Sequence, residues 1–400
     1  MSRRTKIITW SVIVLLLAAL AVFLYFLFNR QTPLPPDTTG DFPPTTDEVL
    51  PSEEPSTVLP EETPGEFRPT LRQLSKIPIA GAMLGSKSGE AIVRYQERGA
   101  GNVHEIGANG EGEKRLTNTT IPKVQEAIWS KSGTALVSRY LRENSEIIES
   151  FLGRVRETPS GAEGELQGTF LQRGIQDVAI SPDGTSLFYL LNENGGASGI
   201  RSDLAGNTRT KIWSSPVSEW LTFWPTQGKL YLLSKPSGLA SGMLLSLNPQ
   251  GTESSVVLSD IPGLTTLVNP ARPEVLYSSS GESGISLFLR STATGAETDV
   301  NTPTLPEKCV WNKGGDRFYC GIPKAVPTGT YPDVWYQGVV SFEDEVWSIG
   351  VSGGSERILD VSTERGAPMD IIRPQLSADE KFLVFTDKES GFLWSLQMKE

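Results

Sequence analysis

A short polar turn followed by an apolar run recurs along this chain, and its spacing constrains the fold more than any other feature. It reads SKSGEAIVRY at 86–95, SKSGTALVSRY at 130–140, SPDGTSLFYLL at 181–191 and PTQGKLYLLS at 225–234. It continues as PARPEVLYSS at 270–279, NKGGDRFYCG at 312–321 and SADEKFLVFTD at 377–387. The fourth residues of these turns are Gly89, Gly133, Gly184, Gly228, Pro273, Gly315 and Glu380, so successive copies lie 44, 51, 44, 45, 42 and 65 residues apart. Each turn is preceded by a short apolar run, as in EAIW, DVAI, LTFW, TTLV and KCVW. Two apolar runs of strand length joined by a polar turn read as a β-hairpin.

A second kind of turn alternates with the first, as in GANGEGEKRL at 107–116, TATGAETDV at 292–300 and VSGGSERIL at 351–359. Each unit therefore holds two hairpins, hence four strands. Seven four-stranded units of about 44 residues predict an all-β, seven-bladed β-propeller over 67–400. The last unit ends at GFLWSLQMKE, in what should be its third strand. RPTLRQLSKIP at 68–78 has the length and character to supply the fourth strand, so the ring is expected to close with an N-terminal strand and leave no open sheet edge.

SPDGTSLFYLL resembles the TolB-type repeats of bacterial envelope propellers, which are related in character to WD repeats. Ser181, Pro182, Asp183 and Gly184 match the repeat's turn, and LSADEKFLVFTD is a degenerate version. The resemblance implies a propeller that makes protein contacts in an envelope assembly. It does not name the partner, since propellers host many activities.

Ahead of the repeats, Ile7 to Phe28 carries no charge. As a helix of 22 residues it would reach about 33 Å, enough to cross a bilayer. Arg3, Arg4 and Lys6 precede it, which predicts residues 1–6 as a cytoplasmic tail, 7–28 as an uncleaved transmembrane anchor and the rest outside the cytoplasmic membrane. The competing reading is a signal peptide cut near Ala19-Leu20-Ala21, but that would leave the apolar VFLYFLF at the new terminus. Residues 29–66 are rich in Pro, Thr and Glu, with nine acids and no base from 31 to 66, and predict a disordered, extended linker. The net charge of −11 argues against nucleic acid as a partner.

Catalytic chemistry is sparse. The one histidine, His104, lies on an expected third strand of blade one and reads as a surface or rim residue. GVSGG at 350–354 matches G-x-S-x-G, but Ser352 falls in a turn between two strands rather than at a strand-to-helix elbow. One His and two Cys do not make a zinc site, and no metal or cofactor is expected. The acids of SFEDEVW at 341–347 alternate in direction along a strand and read as a solvated edge. In CVWNKGGDRFYC a turn at Lys313 to Asp316 would set Cys309 opposite Cys320, close enough for a disulfide. Two buried free thiols are the alternative.

The spacing of 65 marks an insertion of about twenty residues between the second and third strands of blade six, GIPKAVPTGTYPDVWYQGVVSFE at 321–343. Its Tyr331, Trp335 and Tyr336 either contact a protein or glycan partner or cap the blade's own apolar edge. Gln125, Gln176, Glu219, Trp220, Lys308 and Arg373 sit where the first strands enter the central funnel. The expected function is a membrane-anchored, non-catalytic binding or scaffold module of the cell envelope. The alternatives are a carbohydrate-active or hydrolytic propeller, for which Glu126, Asp177 and Glu219 are the candidate carboxylates, and a sensor that works with a membrane partner.

Overall fold

A computed structural model describes residues 67–158, 163–193, 195–281 and 284–399. The expected tail at 1–6, anchor at 7–28 and linker at 29–66 lie outside these residues. Among the described residues no helix is long and apolar enough to cross a membrane.

The strands form seven four-stranded sheets, each antiparallel and ordered from the ring's axis outward. Blade three shows the plan. Ile175–Ile180, Ser186–Glu193, Gly196–Asp203 and Thr210–Ser215 follow one another in sequence and in the sheet. Its first turn is built by Ser181. The Gly184 amide donates to the Ser181 carbonyl, and the Ser181 amide donates across to Ser186. Gly184 takes φ +69°, the left-handed region that glycine enters without cost. Asn312 with Gly315 and Ser377 with Glu380 repeat these bonds, with Glu380 held at φ +58°. The recurrent motif is therefore turn chemistry.

Alternation along the second strand of each blade explains how the ring holds together. In SLFYLL, Leu187 and Tyr189 pack with Val137 and Leu152 of blade two. Phe188 and Leu190 point the other way, onto Trp220, Trp224 and Leu230 of blade four. Successive strand residues face opposite sides, so one strand serves both neighbouring layers. Burial falls outward, and Glu297–Asp299 at the edge of blade five is fully exposed. The core is thus a set of layers between blades. In blade seven the outermost strand is Thr70–Gln73, antiparallel to Leu393–Gln397, with Thr70 opposite Gln397 and Gln73 opposite Trp394. Arg72 Nη1 donates to Gln397 Oε1 at 3.0 Å on the same pair of strands.

The insertion occupies residues 324–343, between the strands Arg317–Pro323 and Asp344–Gly350. It carries a single helical turn, Asp333–Tyr336. The segment folds back over its neighbours. Asp333 accepts from Ser237 Oγ at 2.8 Å and from the Gly238 amide at 2.7 Å, both in the loop that joins the second and third strands of blade four. Gly263 takes φ +67°, and a Cβ there would stand 2.7 Å from the Tyr331 carbonyl oxygen, so the close approach needs glycine.

Cys309 lies opposite Cys320 in the first hairpin of blade six, and the two form a disulfide with a Cα separation of 4.1 Å. Both are buried in the layer shared with Leu276 and Leu287 of blade five. Closing a loop of this length constrains the unfolded chain by about 3 kcal/mol in the chain-entropy treatment. Urea unfolding of the Cys309→Ser/Cys320→Ser double variant is expected to show a loss of that order. An unchanged midpoint at unchanged slope would mean that the bond contributes nothing.

Candidate functional site

The inner edge of the ring carries a repeated irregularity. The first strand of blade one, Ile79–Lys87, is bulged between Ile79 and Gly81. Blade two is bulged between Val124 and Glu126, blade three between Ile175 and Asp177, and blade seven between Ile372 and Gln375. A bulge leaves its extra residue outside the ladder and turns it away from the partner strand. Gln125, Gln176 and Arg373 are such residues, and all three are exposed. Arg373 sits at φ +51°.

Next to the bulges, Glu126 and Asp177 occupy equivalent places on adjacent blades. Arg139, on the second strand of blade two, brings them together. Its Nη1 lies 3.0 Å from Glu126 Oε2 and 3.6 Å from Asp177 Oδ1, while Nη2 donates to the Gln176 carbonyl at 2.7 Å. Asp177 Oδ2 accepts from the Thr222 amide of blade four at 2.7 Å. On the other side, Arg373 Nη2 reaches Glu126 Oε1 at 3.4 Å and Nη1 donates to the Ala80 carbonyl at 3.0 Å. Gln375 bonds Leu84 N and Ala82 O of blade one. A polar belt thus runs from blade seven through one, two and three to four. A cavity of 180 Å³ opens beside it, lined by Gly81, Glu126, Arg373, Gln375 and Thr386 among others. Burial pushes the Asp177 carboxyl up to about 7, and the neighbouring Glu126 charge adds to this against the Thr222 amide and Arg139. The belt therefore holds a carboxyl that exchanges its proton near neutrality. Sequence reasoning passed over Arg139 and Gln375, whose role depends on the next blade rather than on any local pattern.

The remaining funnel candidates are placed differently. Glu219 is exposed and pairs with Lys235 of its own blade at 3.0 Å, apart from the Arg139 contacts. Trp220 is buried against Trp213, edge to face, and its Nε1 donates to the Val217 carbonyl. Lys308 does not line an open funnel, because its side chain is 0% exposed. It ends the 3-10 turn Pro306–Lys308, and its ammonium meets Asp370 Oδ1, Asp344 Oδ2 at 2.7 Å and the Ile371 carbonyl at 3.0 Å.

That cluster corrects the reading of SFEDEVW as a solvated edge. Alternation along the strand holds, with Glu343 exposed against Lys324 and Glu345 bound to Arg357. Asp344, however, faces inward and is completely buried, because Lys308 is there to meet it. Burial raises its carboxyl to about 6, with Lys308 opposing the rise and the adjacent negative charge of Asp370 contributing to it.

The insertion's aromatics split into two groups. Tyr331 and Trp335 are buried with Phe342, Ile285 and Leu305, so they cap the propeller's own apolar edge. Trp335 Nε1 donates to Asp370 Oδ2 at 2.8 Å. Tyr336 is partly exposed and its hydroxyl donates to Glu307. His104 is on the third strand of blade one, stacked on Tyr95 with ring centres 5.0 Å apart and 2.7 Å from Glu97 Oε1, so it is packed rather than free at the rim. Ser352 lies in the turn between Asp344–Gly350 and Ser355–Leu359, with no elbow. Among the described residues no cluster of three or more His, Cys, Asp or Glu is arranged to hold a metal ion.

No protein-family model matches the chain, and no curated protein sequence does. Solved structures do. The chain is similar to the GH74 xyloglucanase from Xanthomonas campestris (TM-score 0.54, 12% identity, 82% of this chain and 53% of that one). It is also similar to the β-propeller domain of Cps50 (Swd1) from Myceliophteria thermophila (TM-score 0.52, 11% identity, 83% and 100%). An oligogalacturonate lyase from Vibrio parahaemolyticus follows (TM-score 0.50, 10% identity, 84% and 99%). At these identities the likeness establishes the seven-bladed propeller and nothing about chemistry.

The raised Asp177 carboxyl has a consequence for stability. In the unfolded chain an Asp loses its proton near pH 4, whereas the folded site holds it to about 7. Ionisation inside the fold is disfavoured, so this group's contribution falls as pH rises through that window, by up to about 4 kcal/mol. Relative to wild type, Asp177→Asn is expected to gain stability between pH 4 and 8 in thermal or urea unfolding. A difference that does not change with pH would contradict the assignment.

Proposed function

We propose that the chain is a membrane-anchored binding module whose insertion-bearing face docks a protein partner outside the cytoplasmic membrane. One observation carries this reading. Of the ten large apolar residues exposed among the described ones, eight lie on the face that holds the insertion and the connections between blades: Ile77, Ile147, Phe170, Val217, Leu239, Met243, Tyr336 and Val339. Phe223 and Val256 are the other two. Scattered exposure is ordinary, so the reading rests on the two most exposed of them, Leu239 and Val339, whose loops meet. Leu239 is 84% exposed and Val339 72%, and the loops that carry them are tied together through Asp333. The uncharged run from Ile7 to Phe28 and the basic residues before it support anchoring with this body outside. The likeness of SPDG and its strand to TolB-type repeats supports a role in an envelope assembly.

A second reading, a carbohydrate-active or hydrolytic propeller, is favoured by the belt. Glu126 and Asp177 converge on one guanidinium, and Asp177 is poised to donate a proton near neutrality.

The two readings separate by experiment. With the full chain in its native membrane, Leu239→Glu and Val339→Glu are expected to abolish in-cell crosslinking to the partner, while Val256→Glu on an outer strand leaves it intact. Equal crosslinking by all three variants would refute the docking face. Release of reducing ends from a polysaccharide panel, lost in Glu126→Gln, would establish the second reading. Protease added outside intact cells should digest the propeller, and carbonate washing should leave the chain in the membrane. Protection from the protease would reverse the topology.

A further inference from the structure

The fully buried cluster beneath the insertion has an arrangement that an ion pair alone does not need. Lys308, Asp344 and Asp370 hold one positive and up to two negative charges in a site with no solvent access, walled by the rings of Trp335 and Phe342 at 5.5 and 5.1 Å from the ammonium nitrogen. Burying three such charges is costly, and among the described residues no second cation forms an ion pair with either carboxylate, Lys388 lying over the Trp335 ring instead.

The two carboxylates are treated differently by their surroundings. Asp370 Oδ1 faces the Lys308 nitrogen. Its Oδ2 accepts three bonds, from Trp335 Nε1 at 2.8 Å, the Phe342 amide at 3.1 Å and Ser341 Oγ at 3.2 Å. Three donors on one oxygen are the geometry that stabilises a tetrahedral oxyanion at the carbon that bears it. Asp344, by contrast, has Oδ2 on Lys308 and on the Ile371 amide at 2.6 Å, while its buried Oδ1 has no hydrogen-bond partner. A carboxyl with a free buried oxygen, in contact with the amine, is placed to take up and pass on protons.

We propose that Lys308 and Asp370 join in an intramolecular isopeptide bond, with Asp344 as the proton carrier. The Lys308 ammonium passes a proton to Asp344, and the neutral Nζ attacks Asp370 Cγ. The negative charge that develops on Oδ2 is held by Trp335, Phe342 and Ser341. The Nζ–Cγ bond forms and the Cγ–Oδ1 bond breaks. Two of the three ammonium protons travel by way of Asp344 to Oδ1, which leaves as water, and the third stays on the amide nitrogen. Asp344 returns to its starting state, and nothing is oxidised or reduced. The raised Asp344 carboxyl suits this relay, since it binds a proton far more readily than an ordinary aspartate. The product replaces an ammonium and a carboxylate with a neutral amide in an apolar site. It links residues 62 positions apart, at the entries to blades six and seven, under a lid formed by the insertion. This inference does not depend on what the exposed face binds.

The direct test is the mass of the full chain after denaturation and reduction, read together with peptide mapping. The expected result is a mass lower than the sequence requires by one water, with a branched tryptic peptide that joins Lys308 to Asp370 and no cleavage after Lys308. Lys308→Arg and Asp344→Asn are expected to restore the full mass. Linear peptides with free Lys308 and Asp370 in wild type would overturn the proposal, whether or not any variant folds. A branch on Asp344 would overturn the assignment of acceptor and carrier. A complete bond in Asp344→Asn would overturn the relay.

Discussion

The contact of Lys308 with Asp344 and Asp370, sealed from water, is the interaction on which the upper part of this propeller depends. It gathers four parts of the chain. Lys308 comes from the turn before blade six, Asp344 opens that blade's third strand, Asp370 and Ile371 open blade seven, and the insertion closes over them with Trp335 and Phe342. A buried charge without its partners costs several kcal/mol, so the four parts must arrive together. The twenty-residue insertion consequently behaves as part of the core. Its exposed Tyr336 and Val339 are displayed on a fixed frame.

The polar belt on the inner edge solves a different problem. Bulges in blades one, two, three and seven disturb the ladders near the axis, and the backbone groups they release need partners. Arg373 on the Ala80 carbonyl and Arg139 on the Gln176 carbonyl supply them from the preceding blade, and Asp177 meets the Thr222 amide of blade four in the same way. The same side chains that satisfy the backbone also place Glu126 and Asp177 around one arginine. The belt and the apolar face are therefore separate resources, one near the axis and one on the loops.

Much of the architecture was readable because the repeat is made of turn chemistry. Polar four-residue turns at regular spacing give the hairpin count, and the hairpin count gives the blades. Gln125, Gln176 and Arg373 could be located at the inner edge by their place at the start of each first strand. The bulges that expose them leave no local signature. Asp344 defeated local reading, because alternation says only that neighbouring acids face opposite ways. Which one is buried depends on Lys308 and Asp370, both distant in sequence. Tyr331 and Trp335 defeated it for the same reason, since loop length says nothing about where a loop docks. The short helix Val361–Arg365, capped by Asp360 and ended at Gly366, also went unread in the connection between blades six and seven.

Amide hydrogen exchange across 333–342 tests most directly whether the buried Lys308–Asp370 site holds the insertion as core. The Phe342 amide, bound to Asp370, is expected to exchange as slowly as amides of the adjoining strand Asp344–Gly350. Exchange at the rate of an exposed loop would contradict it.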